Sequence, residues 1–271
     1  MRLRFQFRHL EPARMRIASF NINGVKARLP RLLEWLEETR PTVACLQEVK
    51  SQDEGFPHEE FAKIGYQAIW HGQKGFNGVA ILADGVAPVE AQRTLPGDPE
   101  DEHARYIEAD VGGVRIACIY LPNGNPVPGP KFDYKLAWME RLRARMRELW
   151  ALEIPVAVVG DFNVIPENKD VWSPRAMAAD ALMQPESRDA YARLLGDGWT
   201  DALGTLNPRG GVWTFWDYQA SAWQRDHGFR IDHLLLSPEL ADRLVAAGVD
   251  KDYRGREKAS DHAPVWIEVA D

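Results

Sequence analysis

The hydrophobic positions of this chain follow two rhythms. Short runs rich in β-branched and aliphatic residues recur along its length: Arg16–Phe20, Val43–Leu46, Val79–Leu82, Ile116–Tyr120, Val156–Val159, Ile231–Leu236 and Val265–Val269. Each has strand length and is bounded by turn residues, so each predicts a β-strand. In Pro30–Thr39, by contrast, Leu32, Leu33 and Leu36 share one face. In Lys131–Trp150, Leu136, Met139, Leu142, Met146 and Leu149 recur at three- and four-residue spacing. That spacing predicts two amphipathic helices. Arg141, Arg143, Arg145 and Arg147 fall mostly off the second stripe, and a solvated helix face is expected there rather than a nucleic-acid contact. Many strands with a few helices predict an α/β layered architecture, a sheet sandwich covered by helices. Leu121–Pro130 and Trp213–Arg230 follow neither rhythm. Long irregular segments in a compact domain are often functional, so both are candidates for the substrate surface.

Composition narrows the class. With 271 residues, 45% of them hydrophobic and 27% charged, the chain suits an ordinary globular fold. No tandem repeat, low-complexity tract or domain linker interrupts it, and a single domain is expected. No apolar run reaches the length that would span a membrane. Cys45 and Cys118 each sit inside an apolar run, which suggests buried free thiols in a reducing cytoplasm rather than a disulfide framework. The net charge of −7 argues mildly against nucleic-acid binding. A cluster of metal-binding carboxylates would itself make the formal charge more negative, however, and bound cations would offset part of it. Residues 1–14 carry Arg2, Arg4, Arg8 and Arg14 ahead of a second methionine, Met15. They lack the apolar centre of a secretory signal, so a dispensable extension is expected there, with the domain spanning residues 15–271.

The chemistry lies at the ends of the apolar runs. The first ends in Asn21-Ile22-Asn23-Gly24, the second in Gln47-Glu48, the fourth in Tyr120-Leu121-Pro122-Asn123 and the fifth in Gly160-Asp161-Phe162-Asn163. Arg230-Ile231-Asp232 opens another, and Ser260-Asp261-His262-Ala263-Pro264 precedes the last. Carboxylates, amides and one imidazole therefore gather at strand ends, where a sheet holds side chains rigidly at one rim. Oxygen donors from Glu48, Asp161, Asp261 and the amides suit a hard cation such as magnesium or manganese. The sequence lacks clustered cysteines and histidine pairs at zinc spacing, which argues against a structural zinc site. An acid–histidine pair beside such a cation suits hydrolysis. Taken singly, Gly-Asp-Phe-Asn is a common turn, and Asp232 inside an apolar strand is an ordinary satisfied acid.

In this order the motifs resemble the endonuclease/exonuclease/phosphatase superfamily, and within it the exonuclease III-like abasic-site endonucleases. The marks are Ser19-Phe20-Asn21-Ile22-Asn23-Gly24, Leu46-Gln47-Glu48, His71-Gly72-Gln73-Lys74-Gly75, Tyr120-Leu121-Pro122-Asn123-Gly124 and Gly160-Asp161-Phe162-Asn163. Trp213-Thr214-Phe215-Trp216-Asp217-Tyr218, Arg230-Ile231-Asp232-His233 and Ser260-Asp261-His262-Ala263-Pro264 complete them. The resemblance runs from Met15 to about Val269. It implies a four-layer α/β sandwich, two face-to-face mixed sheets flanked by helices. It places Asn21, Glu48 and Asp261 in or beside a magnesium site that manganese would also fill, with Asp161, Asn163 and His262 in reach of the same ion. Tyr120, Asp161, Asn163, Asp232 and His262 fall on catalytic positions. Asp161 would generate the attacking hydroxide or protonate the leaving group, Asn163 would stabilise the transition state, and Asp232 would orient His262. Whether one or two ions act, and which residue is the base, stays open.

The implied substrate is double-stranded DNA with abasic sites or 3′ blocking groups, handled by a monomer. Phe215, Trp216, Phe229 and Ile231 resemble the apolar pocket that receives a flipped-out baseless sugar. Asn23, Lys74, Asn77, Arg105, Lys131 and Arg225 are candidate DNA contacts that would position the duplex without reading its sequence. A superfamily phosphatase or phosphodiesterase acting on lipid or inositol phosphates would share Asn21, Glu48, Asp161, Asn163 and the Asp261-His262 pair. It would not need the Trp213–Tyr218 aromatics together with Tyr120–Asn123. A catalytically dead DNA-binding module is a further alternative, against which the complete set of acids and amides speaks.

Overall fold

The computed structural model describes residues 14–271. The segment expected to be dispensable lies outside the described residues except for Arg14, which already pairs with Ala270 at the start of a strand. In chain order the elements are β1 (Arg14–Asn21), α1 (Val25–Thr39), β2 (Val43–Gln47), α2 (His58–Lys63), β3 (Tyr66–His71), β4 (Val79–Asp84), β5 (Val89–Gln92), β6 (Tyr106–Val111) and β7 (Val114–Tyr120). They continue with α3 (Pro130–Trp150), β8 (Val156–Asp161), α4 (Pro185–Gly196), β9 (Thr200–Asp201), α5 (Ala202–Leu206), β10 (Asp232–Leu236), α6 (Pro238–Ala241), β11 (Leu244–Val249) and β12 (Val265–Ala270). The strands build two six-stranded sheets, ordered β11-β12-β1-β2-β4-β3 and β5-β6-β7-β8-β10-β9. Each sheet has a central parallel pair, β1 with β2 and β7 with β8, flanked by antiparallel neighbours.

The two-residue period of a strand explains how the layers stack. Met15 and Ile17 of β1 enter the core between the sheets, while Ala18 and Phe20 pack beneath α1. Val43 and Cys45, Ile116 and Cys118, Ala157 and Val159, and Leu234 and Leu236 point into the same inter-sheet core. Leu32, Trp35 and Leu36 of α1, with Phe61 of α2, cover the outer face of the first sheet. Trp138, Met139, Leu142 and Met146 of α3, with Tyr191 and Leu194 of α4, cover the second. The result is the expected four-layer sandwich. Cys45 and Cys118 are buried and free, and among the described residues no helix is long and apolar enough to cross a membrane.

Several elements depart from the expectation. β3, β5 and β11 lie at sheet edges, β3 and β11 half-buried and β5 largely exposed, so their apolar signal is weak. β6 is hidden by Glu108, a fully buried carboxylate in mid-strand. It is held there by Arg145 (2.7 and 2.9 Å), Arg115 (3.3 Å) and the Tyr106 hydroxyl. The first helix starts at Val25 and carries Pro30 inside it. Proline is a common first helical residue, which is why Pro30 reads as a start. The arginines of α3 are not a free solvated face. Arg141 binds Asp101 at 2.7 Å, Arg143 and Arg147 both clasp Asp197 at 2.7 and 2.9 Å, and Arg145 binds Glu108. They fasten α3 to neighbouring segments and are not available as a DNA-binding stripe.

Candidate active site

Strand register brings the polar residues together. Along each central strand the inward positions are mostly apolar up to the rim. In β1 the inward series Met15, Ile17, Ser19 ends at Asn21, and in β8 the series Ala157, Val159 ends at Asp161. β7 ends its inward series at Tyr120, and β10 begins its own with Asp232. In the ladder Asp161 sits between Tyr120 on one side and Asp232 on the other. The two sheets then meet at this rim, where Asn21 Nδ2 donates across the gap to Asp161 Oδ2 at 2.9 Å and to Glu48 Oε1 at 2.9 Å. Glu48, one residue past β2, turns with φ of 51°. That left-handed conformation is strained for a residue of its kind and is tolerated where the surroundings impose it.

His262 completes the cluster from the loop before β12. Its Nδ1 faces Asp232 Oδ2 at 2.8 Å, and its Nε2 lies 3.7 Å from Asp161 Oδ2. Burial alone would strip the imidazole of its proton, but Asp232, with Asp161 and Asp261, outweighs burial and raises its pKa well above the usual value. The Asp161 carboxyl is pushed upward chiefly by burial, with His262 pulling the other way and Asp232 adding to the push. Burial also acts to raise Glu48, yet hydrogen bonds from Lys50 and Asn21 win and hold it below the ordinary carboxylate value. Tyr120 is driven far up by burial and then by the charges of Glu48 and Asp161, so it remains a neutral phenol. Ligand atoms of Asp161, Asp232 and His262 lie within 4.8 Å of one another, close enough to surround one ion. Glu48 stands beside that group rather than in it, its Oε2 bound to Lys50 at 2.8 Å.

Asn163 sits lower in the floor. Its Nδ2 donates to the Leu121 carbonyl at 2.9 Å and its Oδ1 accepts from Asn123 at 3.1 Å. Asn23 donates to Asp261 Oδ1 at 3.0 Å and accepts from Lys50 at 2.6 Å, which ties the loop after β1 to the loop before β12. Above these groups opens a cleft of about 500 Å³, bordered by Glu48, Tyr120, Asp161, Asp261 and His262 on its polar side and by Phe215, Phe229 and Ile231 on its apolar side.

Two candidate contacts are placed elsewhere. Trp216 is fully buried, its indole Nε1 donating to Asp226 at 2.9 Å and its ring edge-on to Trp223. It is a core aromatic and not a wall of the cleft, because alternation turns it away from the face that Phe215 occupies. Asn77 is 6% exposed and donates to Gln73 Oε1 at 2.8 Å, while its carbonyl accepts from Lys50 N. It shapes the loop rather than meeting a ligand. Arg105 stays beside the cleft, 4.8 Å over the Tyr120 ring and donating to the Tyr120 carbonyl at 3.2 Å. Lys74, Lys131 and Arg225 are exposed.

Other residues support the site although the sequence assigns them no role of their own. The Lys135 ammonium, fully buried, donates to the carbonyls of Pro122, Asn123 and Asn163 at 3.3, 3.1 and 2.5 Å. It fastens the loops after β7 and β8 beneath Asp161. Lys135→Met is expected to lower turnover with little change in thermal midpoint if its role is positioning, and Lys135→Arg should restore part of the rate; parallel rate and melting measurements check this. Thr214 Oγ1 accepts from the backbone N–H of Ile231 and Asp232 at 3.1 and 3.2 Å, and Ser260 Oγ donates to the Asn21 carbonyl at 2.6 Å. Arg230, two residues before Asp232, does not face the substrate side and is 4% exposed. It binds Asp170 at 2.9 and 3.1 Å and Asp201 at 2.6 Å, so it anchors the entry to β10. A lysine on an amphipathic helix and an arginine in a loop carry no local signal of burial, and a threonine between aromatics, as at Thr214, is equally silent.

Comparison with known proteins agrees with this geometry. The profile of the endonuclease/exonuclease/phosphatase family matches residues 18–262. Exodeoxyribonuclease III of Haemophilus influenzae is 35% identical over 269 residues, covering 94% of this chain and 99% of that protein. Among solved structures, an AP endonuclease from Archaeoglobus fulgidus superposes with a TM-score of 0.90 at 36% identity, over 95% of this chain and 99% of that one. The 3′-5′ exonuclease NExo from Neisseria meningitidis does so with a TM-score of 0.92 at 35% identity, over 95% and 100%. A structure of the 3′ phosphatase NExo from Neisseria holds a product DNA hairpin. The chain therefore belongs to the endonuclease/exonuclease/phosphatase family, in its exonuclease III-like branch.

Proposed function

We propose that the protein is a magnesium-dependent DNA repair nuclease that cuts the phosphodiester backbone of duplex DNA on the 5′ side of abasic sites and trims or cleans 3′ ends, acting as a monomer. One observation supports this above the others: a complete set of acids, amides and an Asp-paired histidine borders the same cleft as Phe215, Phe229 and Ile231. A phosphoryl-transfer group thus lies next to an apolar hollow suited to an extruded sugar. The exonuclease III-like relatives support the same reading.

The donor set fits a hard divalent cation. It offers carboxylate oxygens from Asp161 and Asp232 within mutual reach, with Glu48 and Asp261 on the same rim. Burial raises the Asp161 carboxyl, a cost that a cation in the cluster would remove. When bound, such an ion neutralises charge developing on the phosphate and lowers the pKa of water. Magnesium is the ion proposed, with manganese able to replace it.

The chain's own groups account for the rest. Asp232 holds the His262 ring so that Nε2 faces the cleft and offers a proton to a phosphate oxygen. Asp161, with its Oδ2 3.7 Å from His262 Nε2, is placed to pass a proton to the leaving O3′ as water's oxygen joins phosphorus and the P–O3′ bond breaks. The neutral Tyr120 phenol donates toward the same oxygens. Apolar Phe215, Phe229 and Ile231 exclude water from the sugar side.

The direct test is a labelled duplex with one abasic-site analogue, with magnesium and with EDTA. A magnesium-dependent cut immediately 5′ of the lesion supports the reading, and an intact duplex in all conditions rejects it. Glu48→Gln is expected to lose most activity at low magnesium and to recover in part as magnesium rises. A titration with wild-type magnesium dependence would take Glu48 out of the ion site.

A further inference from the structure

Two rings at the cleft take no part in the chemistry above. The Trp172 indole lies flat on the His227 imidazole, with ring centroids 3.7 Å apart and planes 2° from parallel. Both border the cleft that holds Asp161 and His262. Trp172 is 40% exposed, a large apolar surface left to water. The backbone nevertheless fixes it. Trp172 N donates to the Gly228 carbonyl at 3.0 Å, and Val171 and Phe229 form an antiparallel bridge. Gly228 is required there, because a Cβ would come within 2.7 Å of Trp213 Cβ and of Trp216 Nε1. The pair is thus a rigid, flat aromatic surface anchored on both chain segments. The cleft volume of about 500 Å³ falls in the roughly 300–1,000 Å³ range of pockets that enclose drug-sized ligands, more than a baseless sugar fills.

We propose that the Trp172–His227 pair is a stacking platform for a nucleobase, so that the cleft receives a base-bearing nucleotide at a 3′ end as well as a baseless sugar. The inference rests on the nuclease reading and sharpens it. In 3′ trimming the nucleotide leaving the strand carries its 5′-phosphate away, the freed O3′ takes a proton, and the departing base is the group that stacks. Every base has a π-face, so the platform tolerates all four and favours the larger purines.

The test uses a duplex with 2-aminopurine as its 3′-terminal base, bound in EDTA so that nothing is cut, with binding followed separately by anisotropy. Quenching by wild type and by Trp172→Phe, lost in Trp172→Ala, supports the platform. In magnesium, Trp172→Ala is expected to lower kcat/KM for removal of a terminal nucleotide about 5- to 150-fold, the equivalent of roughly 1–3 kcal/mol of base stacking. Incision at an internal abasic analogue should fall by a clearly smaller factor. Bound but unquenched duplex with wild type, or equal losses on both substrates, overturns the platform while leaving the nuclease reading intact. If wild type neither binds nor cuts either duplex, the nuclease reading falls and the platform with it. Should Trp172→Ala not fold, wild type alone decides: binding a 3′-terminal purine no tighter than a 3′-terminal abasic residue also overturns it.

Discussion

Asp161→Asn is expected to reduce turnover on an abasic duplex by roughly 10²–10⁴-fold, the usual weight of a positioned acid–base group, while duplex affinity changes little. The asparagine has nearly the same shape and keeps an oxygen for the Asn163 N–H that Asp161 Oδ1 accepts at 2.9 Å. What it loses is the ability to carry a proton, the charge facing His262 Nε2 at 3.7 Å, and the second oxygen, which accepts from Asn21 Nδ2. Loss should therefore appear in kcat rather than in binding. Single-turnover cleavage beside anisotropy titration separates the two. Unchanged turnover would remove Asp161 from the chemistry, and a matching loss of affinity would make it a structural group instead.

Arg230→Met is expected to cost about 3–5 kcal/mol of stability, because breaking a buried ion pair from one side leaves the other charge uncompensated. Here two carboxylates are left: Asp170 and Asp201, 2% and 9% exposed at their side chains. An exposed pair offers the contrast. Arg193 and Glu140, with side chains 42% and 55% exposed, should give no more than about 1 kcal/mol when Arg193 is removed. Urea unfolding of both variants measures the difference. If Arg230→Met combined with Asp170→Asn and Asp201→Asn fails to recover stability relative to the single change, uncompensated charge is not the cause. Activity should fall with Arg230→Met as well, since Ile231 and Asp232 come directly after it in the chain.

How far the sequence carried can be judged from particular residues. Central strands were legible because both of their faces are buried, so Val156–Val159 and Val43–Leu46 read as unbroken apolar runs. Edge strands such as β3 face water on one side, and β6 carries Glu108, whose partners Arg115 and Arg145 lie seven and thirty-seven residues away. Pairings of that range leave no local trace. Asn21, Glu48, Asp161, Asp232 and His262 were legible for a geometric reason: each closes or opens an apolar run, and register gathers such residues at one rim. Trp216 shows the opposite case. It belongs to an aromatic stretch in which alternate residues face opposite ways, and nothing in Trp213–Tyr218 says which of them faces the cleft. Lys135 was hidden because a charged residue on a helix is ordinarily solvated.

The two halves of the site hang from different sheets, and this sets what else in the molecule tunes catalysis. Asn21 extends from the end of one inner face and Asp161 from the other, so the hydrogen bond between them forms only at the sheet separation that the packed layer sets. Side-chain volume deep in that layer, at Ile17, Val159 or Leu234, acts as a spacer that sets the aperture of a rim many residues away. Small volume changes there shift the fit between the two halves of the candidate site, beyond what they cost the fold in stability. Rate at constant affinity is thus a finer gauge of that interior than any melting curve.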